Sequence, residues 1–217
     1  MTFDLKWTDQ SLNKPLGEHE GFKLFHREYD DAIQTVYTRL EILVSDFEVR
    51  NDYSPIHHID KRLKTPESIE EKLRRLDCEV SVPSARENIR DIAGLRVVCN
   101  FIEDVYVVAD MLTSQDDIEL VSFKDYIKNP KKNGYRSLHL ALNVPVYHID
   151  SKVITPVEVQ VRTVAMDFWA SLERQLRYKQ NNEGKISEKT NIELKACAEV
   201  SAKLDERMQK IFDEVKK

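Results

Sequence analysis

From Tyr29 onward the apolar residues Ile33, Val36, Tyr37, Leu40, Leu43, Val44 and Phe47 recur at steps of three and four. That period predicts an amphipathic helix from the low twenties to about Asn51, and Pro55 ends the region. His57–Lys64 alternates weakly, as a short strand does. Thr65-Pro66-Glu67 then combines an N-cap residue, a proline at the first helical position and a carboxylate suited to the positive helix end, predicting a helix to about Asp77. Ser84 and Glu87 have capping-box spacing and predict a helical turn through Ile89. Gly94–Phe101 follows as a β-branched strand, Glu103–Thr113 as a helix and Ile118–Lys124 as a second core strand.

The clearest alternation is in Tyr135–Tyr147, where Leu138, Leu140, Leu142, Val144 and Val146 share one face and Tyr135, Ser137 and His139 the other. In Pro156–Thr163 the valines 157, 159 and 161 oppose Glu158, Gln160 and Arg162, so polar triplets from two strands can build one site. A helix with Phe168, Trp169, Leu172 and Leu176 comes next, then a polar break at Gln180–Lys185. A last helix carries Ile192, Ala196, Val200, Leu204, Ile211 and Val215 and is too polar for deep core, which points to packing on the domain or on another subunit. The expected fold class is α/β (α+β): a mixed sheet of four to five strands flanked by helices. The expected division is an N-terminal segment 1–20, a main domain 21–180 and a helical extension 181–217.

Composition narrows the function. Lys and Arg total 33 against 38 Asp and Glu, which excludes a protein that coats nucleic acid by bulk charge, so any basic site is local. Three widely spaced cysteines, Cys78, Cys99 and Cys197, match neither a disulfide framework nor zinc spacing and suggest a reduced, cytoplasmic setting. Met1–Gln10 lacks the layout of a signal peptide and no apolar run is long enough for a membrane span. Five glycines in 217 residues leave no room for a Walker A loop or a dinucleotide fingerprint, so nucleotides, if bound, are held by side chains.

Two carboxylates draw attention. Asp91 lies just before a core strand and Glu158 on the polar face of another, and such a pair meeting at a sheet edge suits Mg²⁺ on a polyphosphate; the plainer reading is a turn cap and an exposed acid. Lys124, Lys128, Lys131, Lys132 and Arg136 place five positive charges in thirteen residues, a phosphate-binding surface or a solvated loop. Tyr135 beside that cluster offers a stacking platform for a base, and Arg62 and Arg96 fall at polar-face positions where guanidinium planes can stack on a second one. His139 can donate to a phosphate or transfer a proton, Cys99 belongs to the core, and His57-His58 has no partner at zinc spacing.

These residues stand in segments with a recognisable order. Lys61-Arg62-Leu63-Lys64-Thr65-Pro66-Glu67-Ser68, Arg90-Asp91-Ile92-Ala93-Gly94-Leu95-Arg96-Val97, Lys124–Lys131, Asn133-Gly134-Tyr135-Arg136-Ser137-Leu138-His139 and Val157–Thr163 resemble the motifs of RelA/SpoT-type (p)ppGpp synthetases. Ala165–Glu173 is similar to the helix that follows in that family, and the length suits a stand-alone small alarmone synthetase of the RelP/RelQ group. The resemblance implies transfer of the β,γ-pyrophosphate of ATP to the 3′-hydroxyl of GDP or GTP, giving ppGpp or pppGpp and AMP. It implies Asp91 and Glu158 as the catalytic, Mg²⁺-site carboxylates, with Glu158 orienting or deprotonating the hydroxyl. Arg62 and Arg96 would sandwich adenine, with Lys64 in the same ATP site. Tyr135 would stack on guanine, Lys124, Lys131 and His139 would hold phosphates, and Gln160 and Asp167 would lie near the acceptor nucleoside. Homotetramer formation through the terminal helices is also implied.

Two positions depart from the family pattern: Glu173-Arg174 replaces a common Glu-His, and Asp167 stands where Asn is common. The sequence leaves open the choice between GDP and GTP and any regulatory binding of alarmone or single-stranded RNA. Two competing readings use the same residues. One is a non-catalytic nucleotide or RNA sensor, against which two retained carboxylates argue; the other is a nucleotidyltransferase that releases pyrophosphate instead of AMP.

Overall fold

A computed structural model describes residues 14–181 and 187–216. Most of the expected N-terminal segment and most of the polar break at Gln180–Lys185 lie outside the described residues.

After a short 3₁₀ turn at Leu16–Glu18 come α1 (Phe22–Asn51), β1 (Ile56–Leu63), α2 (Pro66–Arg75), α3 (Val82–Asn88), β2 (Ala93–Cys99), α4 (Ile102–Thr113), β3 (Glu119–Asp125), β4 (Leu138–Tyr147), β5 (Lys152–Thr163), α5 (Val164–Asn181) and α6 (Glu188–Val215). The sheet order is β1-β2-β5-β4-β3, with β2 and β5 parallel and the other pairs antiparallel. This is the mixed sheet with flanking helices that the hydropathy pattern predicts.

Local chemistry explains the helix starts. Thr65 Oγ1 accepts the Ser68 amide at the head of α2, with Pro66 at the first position. The expected cap of α3 at Ser84 is corrected: Ser81 is the N-cap, and its hydroxyl accepts the Ser84 amide. Pro83 explains the shift, because a proline fits the first turn, where its missing N–H costs nothing, so the helix begins before it.

One face of the sheet is covered. Ile33, Val36 and Leu40 of α1 and Val105, Val108 and Leu112 of α4 bury against Leu95, Val97, Leu140, Val157, Val159 and Val161 in one cluster. The alternate residues of the same strands point to the other face, which α5 covers only in part. β3 differs from its expected core position: it pairs only with β4, and Leu120, Val121 and Phe123 are 41–50% exposed. Its apolar residues tell of a strand, but sheet order makes it an edge. β4 starts at Leu138 rather than Tyr135, because Gly134 takes a positive φ of 91° and the Tyr126 amide bonds to Ser137 O, closing a loop instead. β5 begins earlier than expected, at Lys152, where it pairs with Tyr147.

α6 lies against the body by an unexpected face. Leu194, Ala198, Ser201, Asp205, Gln209 and Phe212, at helical steps, face inward: Trp169 Nε1 donates to Leu194 O at 2.8 Å, Ser201 Oγ to Ala165 O at 3.0 Å, and the Glu103 amide to Gln209 at 2.9 Å. Thr163 donates to the buried Asp205 carboxylate, and Phe212 stacks on Phe101 with centroids 4.1 Å apart. The apolar stripe read from sequence, including Ile192, Val200, Leu204, Ile211 and Val215, points to solvent.

Candidate active site

Strand register assembles the site. Asp60 lies opposite Arg96, Arg96 opposite Gln160, Gln160 opposite His139 and His139 opposite Lys124, a polar row across all five strands. The adjacent row on the same face runs Arg62, Gly94, Glu158, Ala141. Gly94 puts no side chain between Arg62 and Glu158, and a cavity of about 230 Å³ opens there, lined by Arg62, Asp91, Gly94, Arg96, Glu158 and Gln160 among others. A larger groove of about 1000 Å³ between α1 and the β4–β5 turn contains none of the sequence-predicted site residues.

Asp91, two residues before β2, and Glu158 on β5 come from neighbouring interior strands rather than from an edge strand, as the sheet-edge expectation had it. Lys64 and Lys72 grip Asp91 at 3.0 and 2.5 Å. Burial opposes its ionisation, yet the hydrogen bonds from Lys72 and Lys64 prevail and hold its pKa below the ordinary range. Glu158 Oε1 lies 3.2 Å from His139 Nδ1; that hydrogen bond lowers its pKa against burial and against repulsion by Asp91. Both acids are therefore carboxylates at neutral pH, close enough to sense each other across one cavity.

On the far side of Glu158 a second network is closed on itself. Arg162, only 4% exposed, donates through Nη2 to Tyr135 Oη and to Gln160 Oε1, both at 2.6 Å, through Nη1 to Asp167 at 3.1 Å and through Nε to Ser137 Oγ at 3.4 Å. Tyr135 Oη in turn lies 2.8 Å from His139 Nε2. With His139 Nδ1–H donating to Glu158, Nε2 is the acceptor, and an unbroken chain Arg162, Tyr135, His139, Glu158 results. Arg96 Nε is 3.4 Å from Asp167 Oδ1 but is buried without a hydrogen-bond partner.

Of the basic cluster, Lys131 stands over the rings of Tyr126 and Tyr135 and Lys124 faces His139 across the strands. Lys128 turns to Asp125 and Tyr106, and Arg136 lines a small gap against Trp169 and Ala198. The thirteen-residue cluster is thus split. Cys99 is fully buried in the core as expected. Sequence reading missed Lys72, whose run of charged neighbours in α2 resembles any solvated face, and it placed Arg162 in a polar triplet without naming its partners or its part in the site. The Glu158-Gln160-Arg162 alternation was the signal available for the latter.

Among the described residues no group of three or more His, Cys, Asp or Glu side chains could hold a metal. Asp91 and Glu158 are hard oxygen ligands that suit Mg²⁺ taking its other ligands from substrate phosphates and water, provided Lys64 and Lys72, which occupy both Asp91 oxygens here, turn to the phosphates. A mixed sheet with such a face has the parts of a phosphoryl-transfer enzyme that works by positioning and charge.

The chain belongs to the RelA/SpoT family: the family model described as "Region found in RelA / SpoT proteins" matches residues 61–183, more than half of the sequence. It is 42% identical over 187 residues to GTP pyrophosphokinase YwaC of Bacillus subtilis, covering 86% of this chain and 88% of that one. With GTP pyrophosphokinase YjbM of the same organism it shares 38% over 188 residues, 86% of each chain. The solved structure of small alarmone synthetase 1 from Bacillus subtilis bound to its product pppGpp matches with a TM-score of 0.82 at 35% identity, covering 92% of this chain and all of that one.

Proposed function

We propose that the chain is a GTP/GDP diphosphokinase, a (p)ppGpp synthetase that moves the β,γ-pyrophosphate of ATP to the ribose 3′-hydroxyl of GDP or GTP and releases AMP. The observation that carries this reading is the pair Asp91 and Glu158 in one cavity, with a cationic half at Arg62, Lys64, Lys72 and Arg96 and a hydrogen-bonded half around Arg162 and Tyr135. It agrees with family membership and with the activity named for the curated relatives.

In this reading Arg62 and Arg96 take the adenine and Lys64 and Lys72 the triphosphate. Guanine stacks on Tyr135 in place of Lys131, whose freed ammonium turns to phosphate with Lys124. Gln160 and Asp167 flank the acceptor nucleoside. Glu158, held ionised and steadied by His139 Nδ1–H, accepts a hydrogen bond from the 3′-hydroxyl, orients it for in-line attack and can take its proton as the new bond to the β-phosphorus forms and the bond to the leaving AMP breaks. Asp91 and Glu158 would hold Mg²⁺, which supplies neutralisation of polyphosphate charge when bound. The exposed stripe Ile192, Val200, Leu204, Ile211 and Val215 on α6, with Phe168, Leu172 and Leu176 on α5, supports self-association into the expected homotetramer. Three free cysteines suit the cytoplasm.

The test is incubation with ATP, Mg²⁺ and GDP or GTP, with products resolved by anion exchange and mass. AMP with a guanosine tetra- or pentaphosphate is expected. Pyrophosphate release instead would indicate nucleotidyl transfer, and nucleotide binding with no product would indicate the sensor.

A further inference from the structure

We propose that Arg174 is a further nucleotide-binding residue: from α5 it closes over the ATP half of the cleft and takes an anionic oxygen of the polyphosphate. Asp167, Ser171 and Arg174 are spaced four and three residues apart and so share one face of α5. The head of that stripe is in the site, since Asp167 Oδ1 lies 3.1 Å from Arg162 and 3.4 Å from Arg96, and Ser171 Oγ donates back to Asp167 at 3.4 Å. Two turns on, roughly 10 Å along the axis, the stripe ends at Arg174.

The electrostatics agree with this placement. Burial and then the nearby Arg96, Arg62 and Arg162 guanidiniums lower the Arg174 pKa, and only Asp167 opposes them. The strongest of these charged neighbours, Arg96 and Arg62, line the cavity on the β1–β2 side, while Arg162 and Asp167 belong to the acceptor network, so Arg174 reaches the ATP half from the boundary between the two. Among the described residues Arg174 makes neither an ion pair nor a hydrogen bond. Arg96 pairs with Asp60 and Asp167 and Arg162 with Asp167, while Asp91 is held by Lys64 and Lys72 and Glu158 by His139, so the nearby carboxylates are already engaged. Arg174 is exposed and, among the described residues, has no carboxylate partner of its own, so it is free to meet an arriving anion, and the forked donors of arginine suit a phosphate.

The inference rests on the synthetase reading, and the experiment separates the two. Equilibrium binding of ATP without acceptor is measured for the parent, Arg174→Ala, Arg174→Gln and Arg174→Lys at low and moderate salt, with KM for each substrate alongside. Arg174→Ala and Arg174→Gln are expected to weaken ATP about five- to tenfold, the scale of one charge-assisted contact at a partly exposed site, with a shallower salt dependence. Arg174→Lys should recover part of the loss, and KM for GDP should change less than about twofold. ATP binding equal to the parent's in Arg174→Ala, or a loss that falls on GDP instead, overturns the proposal. A parent that neither binds ATP nor makes AMP overturns the synthetase reading itself.

Discussion

Around Tyr135 the buried Arg162 satisfies four side-chain acceptors at once and ties them through His139 to Glu158, whereas on the other side Lys64 and Lys72 are paired, among the described residues, only with Asp91, Arg62 is exposed and Arg96 Nε is left without a hydrogen-bond partner. The half assigned to the acceptor is thus preorganised, and the half assigned to ATP is charged but loose. On the proposed assignment the difference suits the two roles: the acceptor hydroxyl must be aligned for attack, while the transferred polyphosphate needs positive charge. Stability and function should therefore respond differently to mutation on the two sides.

The largest effect is expected where the halves meet. Glu158→Ala should lower kcat by at least about a thousandfold, in the range seen when a positioned charge or base is removed, with ATP still bound; single-turnover AMP formation at the parental rate would rule out this site. Next is the contrast between arginines. Arg162→Ala leaves several partners unpaired in a buried network and should cost roughly 3 kcal/mol in denaturant unfolding. Arg62→Ala should change stability by less than about 0.5 kcal/mol and act on KM for ATP alone. Equal stability losses from the two would break the comparison. Tyr135→Ala should then weaken guanine-nucleotide use about tenfold, the scale of one lost stacking partner, leaving ATP binding as it was.

The smallest effect concerns the backing of the acceptor half. Burial pushes Asp205 up to about 6, against its hydrogen bond from Thr163. Unfolded, the same carboxyl ionises near 3.9, so the folded chain holds an extra proton between about pH 4 and 6, and stability falls as pH rises through that window and then levels off. Asp205→Asn should accordingly raise the melting temperature by about 4 °C at pH 8, with the gain vanishing near pH 4. Parallel melting curves at all pH values would contradict the assignment.

Much of this was legible in the sequence, and the limits are physical. α1 and β4 announce themselves by strict periodicity, and Thr65-Pro66-Glu67 marks the head of α2 because capping depends on near neighbours only. Position in the sheet is not local: nothing within Ile118–Lys124 says that a strand with Leu120, Val121 and Phe123 will lie at an edge. The site residues drawn from motif resemblance do gather on one face, with Lys124 and Lys131 at its margin. The centre of the acceptor network stayed hidden, because Arg162 gains its meaning from Tyr135 and Asp167 on two other segments. In α6 the apolar stripe drew attention while the small and polar stripe made the contacts, since Ala198, Ser201 and Asp205 dock by close approach and hydrogen bonding rather than by apolar area.

The contact between Gly134 and Ala198 sets an order of assembly. A Cβ at residue 134 would lie 2.6 Å from that of Ala198, so the turn carrying Tyr135 is shaped to the surface of α6. During synthesis residue 134 emerges well before residue 198, and domains settle progressively as the chain lengthens. The sheet and its carboxylates can form early, but the turn that receives the acceptor obtains its packing partner only when the last helix is made. The setting of Tyr135 therefore depends on the last helix, whereas no described residue of α6 lines the cavity that holds Asp91 and Glu158.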